Sequence, residues 1–595
     1  MHQALYPLKK RSRYLIYILL AASIYCSKAA GTIGSIQTDF EVVPTTGKPG
    51  GRIVSCFLND PSTFHPLVTD DLESQIRNQL MNPGLARINL EDQTVQPELA
   101  KSWEISPDQL RWTFQLRKGI RWSDGYPFTA ADVLFTMEVI NDPNFPNAAK
   151  DALTINSKPV SWRKLDDHTV VADLPSVFAS FLRKLDSTTL PIIPKHKWEK
   201  AYRSGTLRDA HSLKMNPTDY VTLGAFSLKQ FKQGQYIHLV KNPHYWKLDT
   251  NKKKLPYLEE IIFLILPDLN LVQLKMELGE IDTFYAIRPQ DVASLKAKGP
   301  SIGMKLYNLG PSYGFEGLFF NQNGGRDSKT GKFYVDPIKR SWFSDLNFRK
   351  AISYCIDREA MVQTVLFGMG QHSFGPESPA NRLWYNKDIV KYPYNLPEAV
   401  RLLTKSGFYR KTDSNGRPIL YDSKSNPVRF SLLTNAGNTV RNQQCLNIVS
   451  DLGKLGITVN YSAIEFRTLI SKIINTYDFD AILLGKSHEV DPSDSMATWL
   501  SSSSAHFWWP NQKKPATTWE KRIDELMLLQ NQTFNQNERK KYYDEVQYLL
   551  SEHLPMIFTI NETIWVCAKE RIGNLKPRMS RHRTLWNAEE LYWRN

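Results

Sequence analysis

The chain is poor in the residue patterns that mark most enzyme chemistries. Only five of its 595 residues are cysteine. Cys26, Cys56, Cys355, Cys445 and Cys567 form no C-x-x-C pair, which excludes the usual zinc and dithiol motifs. The twelve histidines are dispersed, with no H-E-x-x-H pair, and no G-x-S-x-G elbow is present. The run GRDSKTGK at 325–332 mimics a phosphate loop. Its spacing is one residue too long, however, and Phe333 stands where Ser or Thr would bind magnesium, so a polar hairpin loop is expected. No catalytic residue, metal or cofactor is expected from these absences. Long apolar runs are also scarce. The stretch 14–25 follows Lys9, Lys10, Arg11 and Arg13 and precedes Ser27 and Ala29, the three parts of a secretory signal, and it is short for a membrane span. Residues 1–29 are therefore expected to be a signal peptide cleaved after Ala29, and the protein periplasmic. Lipid attachment at Cys26, which Ser23-Ile24-Tyr25 fit poorly, and an uncleaved anchor stay open as alternatives.

The formal charge of +15 overstates the basicity of an exported protein, because residues 1–29 hold five of the cations and no acid, leaving +10. The remaining Lys and Arg are interleaved with Asp and Glu, which describes a solvated basic surface and excludes a nucleic-acid arm. A chain this long divides into two or three lobes, since single cores stop growing at roughly 250–300 residues. Cys56 and Cys355 sit in apolar runs and are expected as small buried hydrophobes, with one disulfide left open.

Against these absences, residues 96–140 carry a dense local pattern, QPELAKSWEISPDQLRWTFQLRKGIRWSDGYPFTAADVLFTMEVI. Trp112, Phe114 and Leu116 alternate with Thr113, Gln115 and Arg117, the period of a half-buried strand. Asp124-Gly125 marks a turn. Thr129 and Asp132 have capping-box spacing ahead of Val133, Met137 and Ile140, the apolar face of a helix. This block resembles the signature of the family 5 extracellular solute-binding proteins, P-x-LA-x-SW … F-x-LRKG-x-x-W-x-DG-x-P-x-TA-x-DV, in Pro97, Leu99-Ala100, Ser102-Trp103, Phe114, Leu116 to Gly119, Trp122, Asp124-Gly125, Pro127, Thr129-Ala130 and Asp132-Val133. Further blocks follow in the family's order: Gly224, Phe226, Leu239, Lys241-Asn242-Pro243, Tyr245-Trp246, Gly279 to Asp282, and the helix pair at 348–370. The chain departs from the family at Leu223 and Ala225, and Cys355 replaces the usual Ala.

The resemblance implies an α/β fold of the periplasmic-binding-protein type (type II, peptide-binding subgroup), with two hinged lobes, an extra domain and mixed sheets. The implied division is a flexible leader at 30–50; lobe I from 51–87, 215–308 and 561–595; an extra domain at 88–214; and lobe III at 309–560. The implied function is that of a receptor, not an enzyme. It would capture a peptide or peptide-like solute between the lobes and deliver it to ABC permease subunits, as a monomer without nucleic acid. Nickel-chelate, haem, sugar and opine ligands stay open, and a secreted hydrolase is the competing class.

In peptide-binding members a W-x-x-D-Y-x-[DE]-P loop gives an Asp to the peptide amino group. Here the segment is Leu484-Gly485-Lys486-Ser487-His488-Glu489-Val490-Asp491-Pro492, so His488 fills the Asp position and Asp491-Pro492 matches the terminal pair. Histidine offers no fixed negative charge, which leaves Glu489 to meet an amine or changes the ligand. Lys486, His488, Glu489 and Asp491 are the expected ligand residues of this loop. Gln75 and Arg77 on the first helical segment and the aromatic faces of Trp508 and Trp509 complete the set.

Overall fold

In the computed structural model the described residues are 38–68, 72–486, 490–580 and 583–595. The signal-like segment 1–29 and its alternatives lie outside them. Among the described residues no helix is long and apolar enough to cross a membrane.

The 96–140 block folds locally as its pattern demands. Strand Arg111–Leu116 buries Trp112, Phe114 and Leu116 and exposes Arg111 and Gln115. Gly125 takes a positive φ of 85° in the turn. In the helix Ala130–Asn141, the Thr129 hydroxyl accepts from the Ala131 amide at 3.3 Å, while the Asp132 carboxylate accepts from the Thr129 amide at 2.9 Å. The two bonds satisfy amides that a helix start leaves open. The strand joins a four-stranded antiparallel sheet in the order Ala100–Ile105, Arg111–Leu116, Thr169–Asp173, Ser161–Asp166.

Two further sheets stand beside this one. In the first, Phe226–Lys232, Tyr236–Lys241 and Glu260–Ile265 run antiparallel, and Arg52–Phe57 adds in parallel to the last. In the second, Ile560–Lys569 lies between Thr283–Ile287 and Met304–Pro311. All three sheets share one continuous apolar core that draws on residues from Val43 to Met304 and from Cys567 to Leu591. A second body holds a mixed five-stranded sheet in the order Thr458–Ile464, Arg429–Asn435, Ala481–Lys486, Phe315–Phe320, Met556–Phe558. Its two faces carry separate apolar clusters, both drawn from residues between Phe315 and Ile560.

The helix pair expected at 348–370 is present as Leu346–Cys355 and Arg358–Leu366. The phosphate-loop mimic is a hairpin turn, with the Gly331 amide bonded to the Asp327 carbonyl at 2.9 Å and Arg326 bridged to Phe333. All four described cysteines are buried free thiols, and burial pushes each up to about 12.

The 30–50 stretch differs from expectation over its described part. Glu41–Val42 pairs in parallel with Lys247–Leu248, and Val43 and Thr45 are buried. Glu41 holds Arg87 at 2.6 Å and Arg117 at 2.7 Å. These are tertiary ion pairs, which leave no periodic trace in a Gly-, Thr- and Pro-rich segment. Residues 38–50 are a packed strap, not a loose leader.

Candidate functional site

Among the described residues the backbone passes between the two bodies twice. Strand Met304–Pro311 of the first body leads through 312–314 into Phe315–Phe320 of the second, and Met556–Phe558 returns through Thr559 into Ile560–Lys569. Two short neighbouring links of this kind are the usual structural form of a hinge, in which a few residues absorb the φ/ψ change of a closing motion.

Above the crossing, the second body offers the carboxyl ends of three parallel strands. Arg429–Asn435 lies between Thr458–Ile464 and Ala481–Lys486, so the chain leaves its central strand to one side and returns to the other. Such a switch point opens a crevice beyond the strand ends, where ligands of open α/β sheets bind. Glu316 reaches this edge from the adjoining strand. Arg441, in the first turn of helix Thr439–Lys454, clamps its carboxylate through Nε at 2.8 Å and Nη2 at 2.9 Å, and Nη1 donates to Asn435 Oδ1 at 2.6 Å. Gly485 leaves room for this carboxylate, since an added Cβ would displace it.

The first body answers with charges of its own. Arg583 Nη1 donates to the Tyr285 carbonyl at 2.7 Å. Burial lowers the Arg583 pKa against the opposing pull of Glu562. Glu562, on the returning strand, is raised by burial and by Glu316, with Arg583 pulling it back. Burial and the nearby Glu73 charge raise the Tyr285 phenol well above its usual range. The crossing therefore carries a row of charges of both signs, Arg583, Glu562, Glu316 and Arg441, contributed by both bodies, with a cation at each end and two carboxylates between them. Such a row suits ionic and hydrogen-bonded capture of a solute that carries both signs.

The expected site residues separate on this geometry. Lys486 ends the strand Ala481–Lys486 and donates to Thr498 Oγ1 at 2.5 Å, and burial lowers its pKa while Asp494 opposes the shift. His488 and Glu489 lie outside the described residues. Helix Leu72–Met81 carries Gln75 and Arg77, whose side chains lie outside them as well. Asp491 is buried, at 4% exposure, where the second body meets the four-stranded unit of the first. Both its oxygens take Arg539, at 2.7 and 3.1 Å, and one also accepts from Ser180 at 3.1 Å and Ser493. Burial pushes this carboxyl up, but the Arg539 and Arg183 charges overcome burial and hold it well below the usual carboxylate range. Trp508, at 1% exposure, donates Nε1 to Glu520 at 3.0 Å and packs on His506, so its indole is core. Trp509 is half-buried with the Arg340 guanidinium 5.4 Å from its ring centre. Glu316, Arg441, Arg583 and Tyr285 were not expected. One available signal was Glu562, the acid in the strand INETIWVCAK.

A cavity of about 230 Å³ lies elsewhere, within the first body, lined by Arg87, Glu98, Tyr245, Lys247, Asn587 and Glu589 among others. Its charges pair with one another: Lys247 with Glu98 at 3.0 Å and Glu589 at 3.2 Å, Arg87 with Glu41. It lies within the first body, on one side of the crossing.

Comparison with known proteins agrees with this architecture. The model of bacterial extracellular solute-binding proteins, family 5, matches residues 94–507. The chain belongs to that family. A probable ABC transporter-binding protein of Deinococcus radiodurans is 30% identical over 74% of this chain and 75% of its own length. The oligopeptide-binding protein AppA of Bacillus subtilis is 26% identical over 98% and 99%. The solved structure of that Bacillus protein with a nonapeptide aligns with 92% of this chain and 100% of its own, at a TM-score of 0.71 and 25% identity. The family is one of substrate-binding receptors, found outside the cytoplasm.

Proposed function

We propose that this family 5 solute-binding protein is the extracytoplasmic receptor of an ABC importer, capturing an oligopeptide or peptide-like solute and passing it to the permease subunits without altering it. The observation that carries this reading is the row of charges of both signs, Arg583 and Glu562 from one body and Glu316 and Arg441 from the other, directly above a two-strand crossing. A peptide is a zwitterion with a polar backbone, and a row of paired charges on opposing lobes can exchange its internal partners for the ends of such a ligand as the lobes close. In this reading 51–87, 215–308 and 561–595 with the 88–214 domain form one rigid side, and 309–560 the other. Lys486, His488, Glu489, Gln75 and Arg77 are proposed to line the ligand. Glu489 is the proposed partner of its amine, because His488 stands where relatives of the peptide-binding type have Asp. Asp491 and Trp508 are proposed to position that loop from behind.

The test is native mass spectrometry of the purified protein followed by calorimetric titration of ligand-stripped, refolded protein with a randomised peptide mixture. Release of peptides and saturable binding are expected. Titration with nickel chelates, haem and oligosaccharides runs in parallel. Binding of one of these with no response to any peptide would overturn the peptide reading. Unchanged peptide affinity in Glu489→Gln would remove Glu489 from the site.

A further inference from the structure

The first body is bolted together by charges at its centre. Glu98 and Arg117 from the four-stranded unit, Lys247 and Glu589 from the rest of the body, and Glu41 from the strap form one ionic network joined through Arg87. The continuous apolar core beneath it makes the four-stranded unit and its neighbours move together. That unit nevertheless touches the second body, far along the chain from either crossing. The Ala179 amide donates to the Asn531 carbonyl at 2.7 Å, and the Trp112 and Phe534 rings lie 6.1 Å apart at 28°. Ser180, fully buried, bonds to both Asp491 and Ser493. Lys184 pairs with Asp494, their side chains 13% and 23% exposed. Ser180 and Lys184 belong to one turn at the rim of the unit; Asp491 and Asp494 begin the short helix after the strand end at Lys486. Asp494 is shared, since its charge also acts on Lys486.

We propose that Lys184 and Asp494 form a closing latch between the four-stranded unit and the second body, made when the two bodies shut over their solute and broken when they part. This rests on the receptor reading, in which the bodies hinge. Among the described residues this is the ion pair in direct contact across the junction, with the Arg183 charge acting on the buried Asp491 beside it, so it holds the bodies without occupying the crevice. Because Asp494 also faces Lys486, a solute that engages the Lys486 ammonium changes the field at the latch. Closure affinity is thereby set partly at a place the solute does not touch.

The experiment measures distances between nitroxide labels in the full chain by double electron–electron resonance. Labels on Lys158→Cys and Lys541→Cys read the junction, and labels on Lys296→Cys and Lys541→Cys read the hinge; all three positions are exposed. The four described native thiols are buried and stay unlabelled, and Cys26, outside the described residues, is replaced by Ser in every labelled chain. Lys184→Met or Asp494→Asn is expected to lower the ratio of closed to open populations at both pairs by about fivefold, the scale of a partly exposed ion pair. Salt at about 1 M should reproduce that loss in the parent chain. The charge-swapped Lys184→Asp/Asp494→Lys chain should recover the parent distribution, which separates latching from a folding defect. Two populations that ignore all of these changes would overturn the latch and leave the hinge standing. A fixed distance across the junction while the hinge pair moves would show a permanent joint, which also overturns it. One distance at both pairs under every condition would overturn the hinge reading itself.

Discussion

Replacing Asp491 by Ala separates its position in the structure from the ligand role its motif suggests. The carboxylate is 4% exposed and Arg539 is 5% exposed. Arg539 also bonds to the Gln530 carbonyl at 2.9 Å and its Oε1 at 3.0 Å, and lies 5.0 Å over the Trp384 ring centre. Truncation strands a guanidinium that cannot turn to water without breaking these contacts. Removing one partner of such a buried pair costs about 3–5 kcal/mol, and removing both together costs far less. Asp491→Ala should therefore lose about 3–5 kcal/mol, and Asp491→Ala/Arg539→Met should regain much of it. Urea unfolding followed by circular dichroism, with midpoints and slopes compared across the four chains of the cycle, measures the coupling. An Asp491→Ala chain as stable as the parent, with only its solute affinity reduced, would refute the reasoning and return Asp491 to the crevice.

Three further outcomes follow from the structure. Burial pushes the Glu520 carboxyl up, but bonds from His506, Gln512 and Trp508 overcome this and hold it at about 2, against an ordinary 4.5. A depressed carboxylate stabilises the fold fully above its unfolded pKa, so Glu520 should contribute about 3 kcal/mol near neutrality that disappears as pH falls from about 4.5 through about 2, and Glu520→Gln should flatten that limb in pH-dependent unfolding. Arg441→Met frees the Glu316 carboxylate and should weaken peptide binding about tenfold in calorimetry, with unchanged affinity refuting a role for the charged row. The described thiols, each pushed up to about 12 by burial, should resist iodoacetamide in the native chain at pH 8 and react only after denaturant is added, as read by mass.

Much of the fold was legible because its signals are local. The alternation of Trp112, Phe114 and Leu116 and the Thr129–Asp132 box work at spacings of two and three residues, and backbone geometry alone converts them into a strand and a helix start. The candidate site was not legible in the same way. Glu316 meets Arg441 across 125 positions, and Ser180 meets Asp491 across 311. A charge that finds its partner through tertiary packing leaves no spacing to read. Asp491 and Trp508 show the converse. Asp491 ends the loop where the family resemblance implies ligand contacts and Trp508 was expected to offer an aromatic face, yet each points to a buried partner, Arg539 in one case and Glu520 in the other. The strap at 38–50 was missed for a third reason, since pairing with Lys247–Leu248, ion pairs through Glu41 and the burial of Val43 hold it without any apolar period.

The pair of crossings has an architectural consequence. Strands Met304–Pro311 and Ile560–Lys569 are antiparallel neighbours whose ends face each other, with Pro311 opposite Thr563. The segment from 312 to 559 thus departs from and returns to adjacent points, as a guest module seated in a hairpin turn of its host. A tight loop spliced in its place would leave the host's strand pairing uninterrupted, and the excised module, whose own termini emerge side by side, carries apolar clusters of its own on both faces of its sheet.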